Sequence, residues 1–248
     1  MGTLRQQWME DYAQVQQGRS EPVSPAEQRR FADIYGYYLK GWLPRDLSLP
    51  VLDVGCGAGL FMAMLGRAKF TEVAGIEASP SQAALARRLS LQVEEGDALT
   101  YLQGKKAVYG LITAFDLIEH LSPDQALQFL EVCLQALIPG GRLILQTPNG
   151  ESPWVGNVLY GDPTHQQCFT PHLLEKMMRH AGYADLEARP CGPAPVDIIT
   201  ALRHWAWSGI TLGCRLLNAI EGAVSSGIHT RVFLISGLRP MEFGRPSE

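Results

Sequence analysis

The stretch that decides the fold is Val51-Leu52-Asp53-Val54-Gly55-Cys56-Gly57-Ala58-Gly59. A short, mostly apolar run ends in three alternating glycines, and an apolar helical pattern starts at Leu60. Such a run, closed by glycines, reads as a buried parallel strand. Glycines let the backbone approach a ligand closely and take positive φ. The helix N-terminus beyond them favours an anionic group. The spacing is G-x-G-x-G with Leu at position 60, so the dinucleotide fingerprint G-x-G-x-x-G is not met.

Outward from this loop, strands and helices alternate. Strands are expected at 73–76, 93–96, 109–115, 142–147, 185–189 and 231–236, and helices at 60–69, 79–89, 123–137 and 171–181. Pro139-Gly140-Gly141 is expected to stop the helix before the fifth strand. The pattern specifies an α/β protein with a doubly wound, mostly parallel sheet. Ligands of such sheets sit at the carboxyl ends of the strands, near the topological switch point. Residues 1–25 read as a helix followed by a loose Pro/Ser segment, Glu21-Pro22-Val23-Ser24-Pro25, and 26–43 as a second helical stretch, which suggests an N-terminal helical cap over 1–44. The remainder, 45–248, is then one domain with a helical insertion at about 191–230.

Composition agrees. The 248 residues are 46% hydrophobic and 19% charged, a globular balance. Net charge is −4, from 21 Lys+Arg against 25 Asp+Glu, which argues against a nucleic-acid partner. The five cysteines (Cys56, Cys133, Cys168, Cys191, Cys214) form no C-x-x-C pair and read as thiols of a reducing compartment. Met1 to Arg19 lacks the apolar core of a signal peptide, and no apolar run spans a bilayer, so a cytoplasmic location is expected.

Two acids follow the glycine loop at matching places. Glu77 ends the second strand, 18 residues after Gly59, where a carboxylate can accept both hydroxyls of a ribose. Asp97, in Gly96-Asp97-Ala98 after the third strand, can accept from an exocyclic amine. The series V-L-D-V-G-C-G-A-G, Glu77, Gly96-Asp97-Ala98 and Leu137-Ile138-Pro139-Gly140-Gly141 resembles the successive motifs of class I S-adenosylmethionine-dependent methyltransferases. The resemblance covers about residues 45–190. It implies a seven-stranded, Rossmann-like sheet with an antiparallel last strand, and S-adenosylmethionine as cofactor. It also implies that Gly55, Gly57 and Gly59 pass under the methionine part, that Glu77 holds the ribose, and that Asp97 and Ala98 face the adenine. Asp53, Cys56 and Asp116 complete the expected cofactor set.

Asp116-Leu117-Ile118-Glu119-His120 follows the fourth strand. If helical, it places Asp116, Glu119 and His120 on one face. His165, in Asp162-Pro163-Thr164-His165, arrives on the loop after the fifth strand, at the same sheet edge. Asp116, Glu119, His120 and His165 therefore form a candidate set for a divalent cation. With no metal, Glu119, His120 and His165 are candidates for acid–base work on an acceptor hydroxyl. A cap on the next helix is the plain structural alternative. The set resembles the E-x-x-E-H and T-H motifs of ubiquinone-biosynthesis O-methyltransferases, with Asp116 in place of the first Glu. It also resembles the carboxylate–carboxylate–His–His set of small-RNA 2′-O-methyltransferases. The D-P-T-H segment is most similar to methyltransferases of bacterial surface-polysaccharide clusters.

The resemblance implies methyl transfer to a hydroxyl of a sugar or glycan. The alternatives are a catechol or quinone precursor, for which Trp154, Tyr160 and Phe169 offer aromatic walls, or a small-molecule amine. In the insertion, Ile198, Leu202, Trp205, Leu212, Leu216 and Ile220 keep helical spacing. That stripe reads as a lid or a homodimer contact, or as a peripheral membrane contact through 198–220 at the inner membrane face, flanked by Arg203 and Arg215. Gly209 and Gly213 argue against one long helix there. His172, His180, His204 and His229 read as structural or exposed.

Overall fold

A computed structural model describes residues 8, 10, 12–15 and 18–241. The first expected helix is seen there as a short turn, α1 (Tyr12–Val15), followed by α2 (Pro25–Tyr38). Ser24 and Glu27 close a capping box at the start of α2. Then come β1 (Val51–Val54), α3 (Leu60–Arg67), β2 (Val73–Glu77), α4 (Pro80–Arg87), β3 (Val93–Glu95), α5 (Ala98–Leu102) and β4 (Tyr109–Phe115). The second half holds α6 (Pro123–Ala136), β5 (Leu137–Pro148), α7 (Val155–Leu159), α8 (Pro171–Ala181), β6 (Ala184–Pro190), α9 (Ile198–Glu221) and β7 (Val232–Leu238).

The seven strands run in the order β3-β2-β1-β4-β5-β7-β6. All neighbours pair in parallel except β7, which is antiparallel to both β5 and β6. The chain leaves β1 toward β2 and β3, then returns to β4 on the other side, so the switch point lies between β1 and β4. Alternate residues of each central strand feed opposite cores. Ile112, Leu143, Leu145 and Phe233 meet α6 and α8 through Phe129, Leu130, Leu174 and Met178. Leu111, Ile144 and Leu234 share the other core with Leu39, Phe61 and Leu65, from α2, α3 and their ends. With both faces covered, each strand is apolar on both sides, as parallel strands must be.

Two expectations are corrected. Pro139-Gly140-Gly141 does not end a helix ahead of β5; it lies within β5, which begins at Leu137. The register shifts between Tyr109 and Leu111, and Gly140, at φ 78°, donates its N–H to Arg239 O. The glycines bend the strand as a bulge rather than breaking it. Likewise α9 is one continuous helix of 24 residues despite Gly209 and Gly213. A capping box of Asp197 and Thr200 starts it and Gly222, at φ 78°, ends it. Two interior glycines cost about 1 kcal/mol each, which the remaining helix formers absorb. No described helix is long and apolar enough to cross a membrane.

Candidate active site

A cavity of about 430 Å³ opens at the carboxyl ends of β1, β2 and β4, the place the switch point dictates. That volume lies within the range of small-ligand sites. Gly55, Gly57, Glu77, Asp97 and Ala98 line it, as do Asp53 and Asp116. Glu77 is buried and accepts the Gly57 N–H at 2.8 Å on one oxygen and the Ser79 N–H at 2.8 Å on the other. The acid at the end of β2 therefore holds the glycine loop in shape, and each oxygen keeps a lone pair for a ligand. Asp97 caps α5 through Oδ1, which accepts from the Thr100 N–H and hydroxyl. Asp53 is buried and accepts from the Thr113 hydroxyl at 2.7 Å. Cys56 also lines the cavity, and its thiol lies against β2, where a Cβ on Gly75 would be 2.7 Å from its Sγ. Gln82 Oε1, on α4, is buried without a partner at the cavity wall, an acceptor waiting for a donor.

The described walls carry four carboxylates (Asp53, Glu77, Asp97, Asp116) and one arginine (Arg19). Burial pushes the Asp53 carboxyl up to about 7, against the Thr113 hydrogen bond that holds it down. Burial also raises Glu77, against its backbone N–H partners. A pocket of this sign suits a ligand that brings positive charge, as a sulfonium does.

Beyond the cavity floor, the 116–120 segment is not the single helical turn expected. Asp116 has φ 53°, and only Ile118–His120 form a 3₁₀ turn. Asp116 therefore leaves the face shared by Glu119 and His120, and its carboxylate accepts from Gln146 Nε2 at 2.9 and 3.1 Å. Gln146 in turn accepts from the Tyr35 hydroxyl at 2.7 Å. Among the described residues, the set with ligand atoms within 4.8 Å of one another is Glu119, His120 and His165, without Asp116. His165 arrives because its loop is laced to the 3₁₀ turn. Gln166 donates its backbone N–H to Glu119 O at 2.8 Å and its side chain to His120 O at 2.5 Å.

Chemistry orients both imidazoles. Thr164 has one hydroxyl proton, and the Asp162 carboxylate takes it at 2.5 Å. The Thr164 oxygen, 2.9 Å from His120 Nδ1, can then only accept, so Nδ1 carries the proton and the ring's lone pair is on Nε2. His165 Nδ1 meets the Leu159 carbonyl at 3.2 Å, which sets the same tautomer. Glu119 is buried. Its Oε2 accepts from the Thr147 hydroxyl at 3.0 Å, while Oε1 has no partner. Burial first, then the Asp116 charge, raises the Glu119 carboxyl well above the usual range.

A family model described as a methyltransferase domain matches residues 26–188. The chain belongs to the methyltransferase-domain family. The chain is 28% identical over 193 residues to the ubiquinone biosynthesis O-methyltransferase of Cereibacter sphaeroides, covering 66% of this chain and 72% of that one. To the enzyme of the same name from Vibrio cholerae it is 28% identical over 149 residues, covering 52% of this chain. The match spans only 59% of that relative's length. In fold it is similar to a SAM-dependent methyltransferase of Archaeoglobus fulgidus, with TM-score 0.66 at 18% identity, covering 92% and 97% of the two chains.

The aromatic wall of the cavity is not the one expected. Tyr160 is exposed, Phe169 is locked in the core, and Trp154 pairs with Trp207 at 5.5 Å between ring centres. Tyr12, Phe31, Tyr35 and Phe115 line the cavity instead. Tyr12, from α1, also donates to Asp162 at 2.6 Å, tying the N-terminal segment to the histidine relay. None of Tyr12, Gln82 or Gln146 stands in a glycine or acidic motif, and only Gln146, a polar residue inside an apolar strand, carried a usable signal.

Proposed function

We propose that this methyltransferase moves a methyl group from S-adenosylmethionine to a hydroxyl of a small aromatic acceptor. The cofactor supplies a methyl group already activated on a sulfonium. Glu77 accepts the ribose hydroxyls, Gln82 Oε1 accepts a further donor, and Gly57 lets the backbone lie against the ligand. Tyr35 and Phe115 give the acceptor flat, apolar surfaces. His120 Nε2 takes the hydroxyl proton as the oxygen attacks, and the Asp162–Thr164 pair steadies the resulting imidazolium through Nδ1–H. The observation that carries this reading is the relay Asp162–Thr164–His120 beside a cofactor-sized cavity. The aromatic lining and the names of the curated relatives favour a phenol or catechol over a sugar.

A divalent cation is a second reading, favoured by the unpartnered, buried Oε1 of Glu119. Glu119, His120 and His165 would hold it, and it would act as a Lewis acid toward the acceptor oxygen. The test is turnover with labelled cofactor against catechols, sugars and amines. Transfer to catechol, lost in His120→Ala with cofactor binding retained, is expected. Transfer only to sugars overturns the acceptor class, and full turnover in His120→Ala overturns the base. Loss of turnover in EDTA, restored by a divalent cation, selects the cation reading over the free base.

A further inference from the structure

Helix α9 is amphipathic in the inverted sense. Its inward face is Thr200, His204, Trp207, Thr211, Cys214 and Asn218, all buried or half-buried. Its outward face runs from Leu212, Trp205 and Leu216 through Leu202 to Leu217 and Ile210, with exposures from 48% at Ile210 to 75% at Trp205. At about 100° per residue the apolar arc spans roughly 160° and Arg203 sits just beyond one edge, while Arg215, beyond the other, donates to the Gly227 carbonyl at 3.3 Å. No Asp or Glu occurs between positions 198 and 220. Water is a poor solvent for such a face, which is larger than scattered exposed hydrophobics explain.

We infer that α9 docks this protein, lying in plane, on a membrane surface of anionic phospholipid. Two features select lipid over a second copy. A packed helix covers a stripe of about 100°, less than the arc presented, whereas acyl chains conform to all of it. Arg203 stands at the margin where a side chain reaches from a buried arc to phosphate, and no acid on the arc repels it. The helix does not cross the bilayer. This inference does not depend on the methyl-transfer reading. Flotation with phosphatidylcholine vesicles, with and without roughly one third phosphatidylglycerol, tests it. The wild type should float with the anionic vesicles, and Trp205→Glu and Leu216→Glu should each lower the bound fraction roughly tenfold. Both positions are exposed, so circular dichroism and Tm should match the wild type. No flotation at low salt, or flotation unchanged in both variants, overturns the inference. A dimer that Leu216→Glu converts to monomer, with no flotation, assigns the face to a second copy, for which Gly209 and Gly213 leave room.

Discussion

Gly57 and Gly59 both hold positive φ, at 54° and 82°, but they face different surroundings. A Cβ on Gly59 would lie 2.2 Å from Leu91 Cδ1 and 3.2 Å from Ala86 Cβ. Gly59→Ala should therefore destabilise the fold by about 2–4 kcal/mol, combining overpacking with a left-handed backbone, as thermal denaturation would show. A Cβ on Gly57 meets nothing nearer than Gln82 Oε1 at 3.8 Å. Gly57→Ala should cost only about 1–2 kcal/mol of stability but weaken cofactor binding in calorimetry by tenfold or so, because the methyl group enters the space left for the ligand. The histidine relay makes a second residue-scale prediction. Thr164→Val keeps the shape but removes the oxygen that fixes the His120 tautomer, so kcat should fall by roughly ten- to a hundredfold with cofactor affinity unchanged. Thr164→Ser should restore it. Glu77 and Asp97 were legible in sequence because strand ends and glycines mark their places. Gln82 was not, because an interior glutamine of a helix looks like any solvated residue until the fold turns it inward.

Among elements, those with a clear period were read to within a few residues: β4 and α8 lie where periodicity placed them, and β1 is bounded by its glycines. The misreadings share one cause, local chemistry judged without tertiary partners. Pro139-Gly140-Gly141 looks like a stop, yet pairing with Arg239 keeps it in the strand. Asp116 looks like the first residue of a helical turn, yet the Gln146 amide draws it to φ 53° and out of the ligand set. This element carries its own prediction. Glu119 is a buried acid whose charged form is disfavoured, so it burdens the metal-free protein at alkaline pH. Glu119→Gln should raise Tm at pH 8 in EDTA while abolishing any activation by a divalent cation. A variant less stable than the wild type under those conditions would show that Glu119 is held by a charge partner instead.

For the whole molecule the buried acids add up at one place. Asp53, Glu77, Asp116 and Glu119 all sit at the carboxyl edge of the sheet, and every one has its carboxyl raised, with burial the largest cause. A raised acid binds its proton more tightly in the folded state than in the unfolded chain. Its contribution to stability is complete below the unfolded value, near 4, and is lost as pH rises through the folded value. For Asp53, raised from 3.8 to about 7, that loss falls between those two limits and amounts to at most roughly 4 kcal/mol. Exposed acids with lowered carboxyls, such as Asp46 and Asp197, act in the opposite sense, losing their contribution only in more acidic solution. The cofactor-free protein should thus lose thermal stability steadily from pH 5 to pH 8. A ligand that carries a sulfonium and an ammonium favours the ionised acids, so its binding must release protons and tighten across the same window. Calorimetry at pH 7 in buffers of different ionisation enthalpy should report that release, and Asp53→Asn should reduce it. Stability that rises with pH in the free protein, or binding without proton release, would mean that these carboxylates are already ionised in the folded state and that water, not protein, surrounds them.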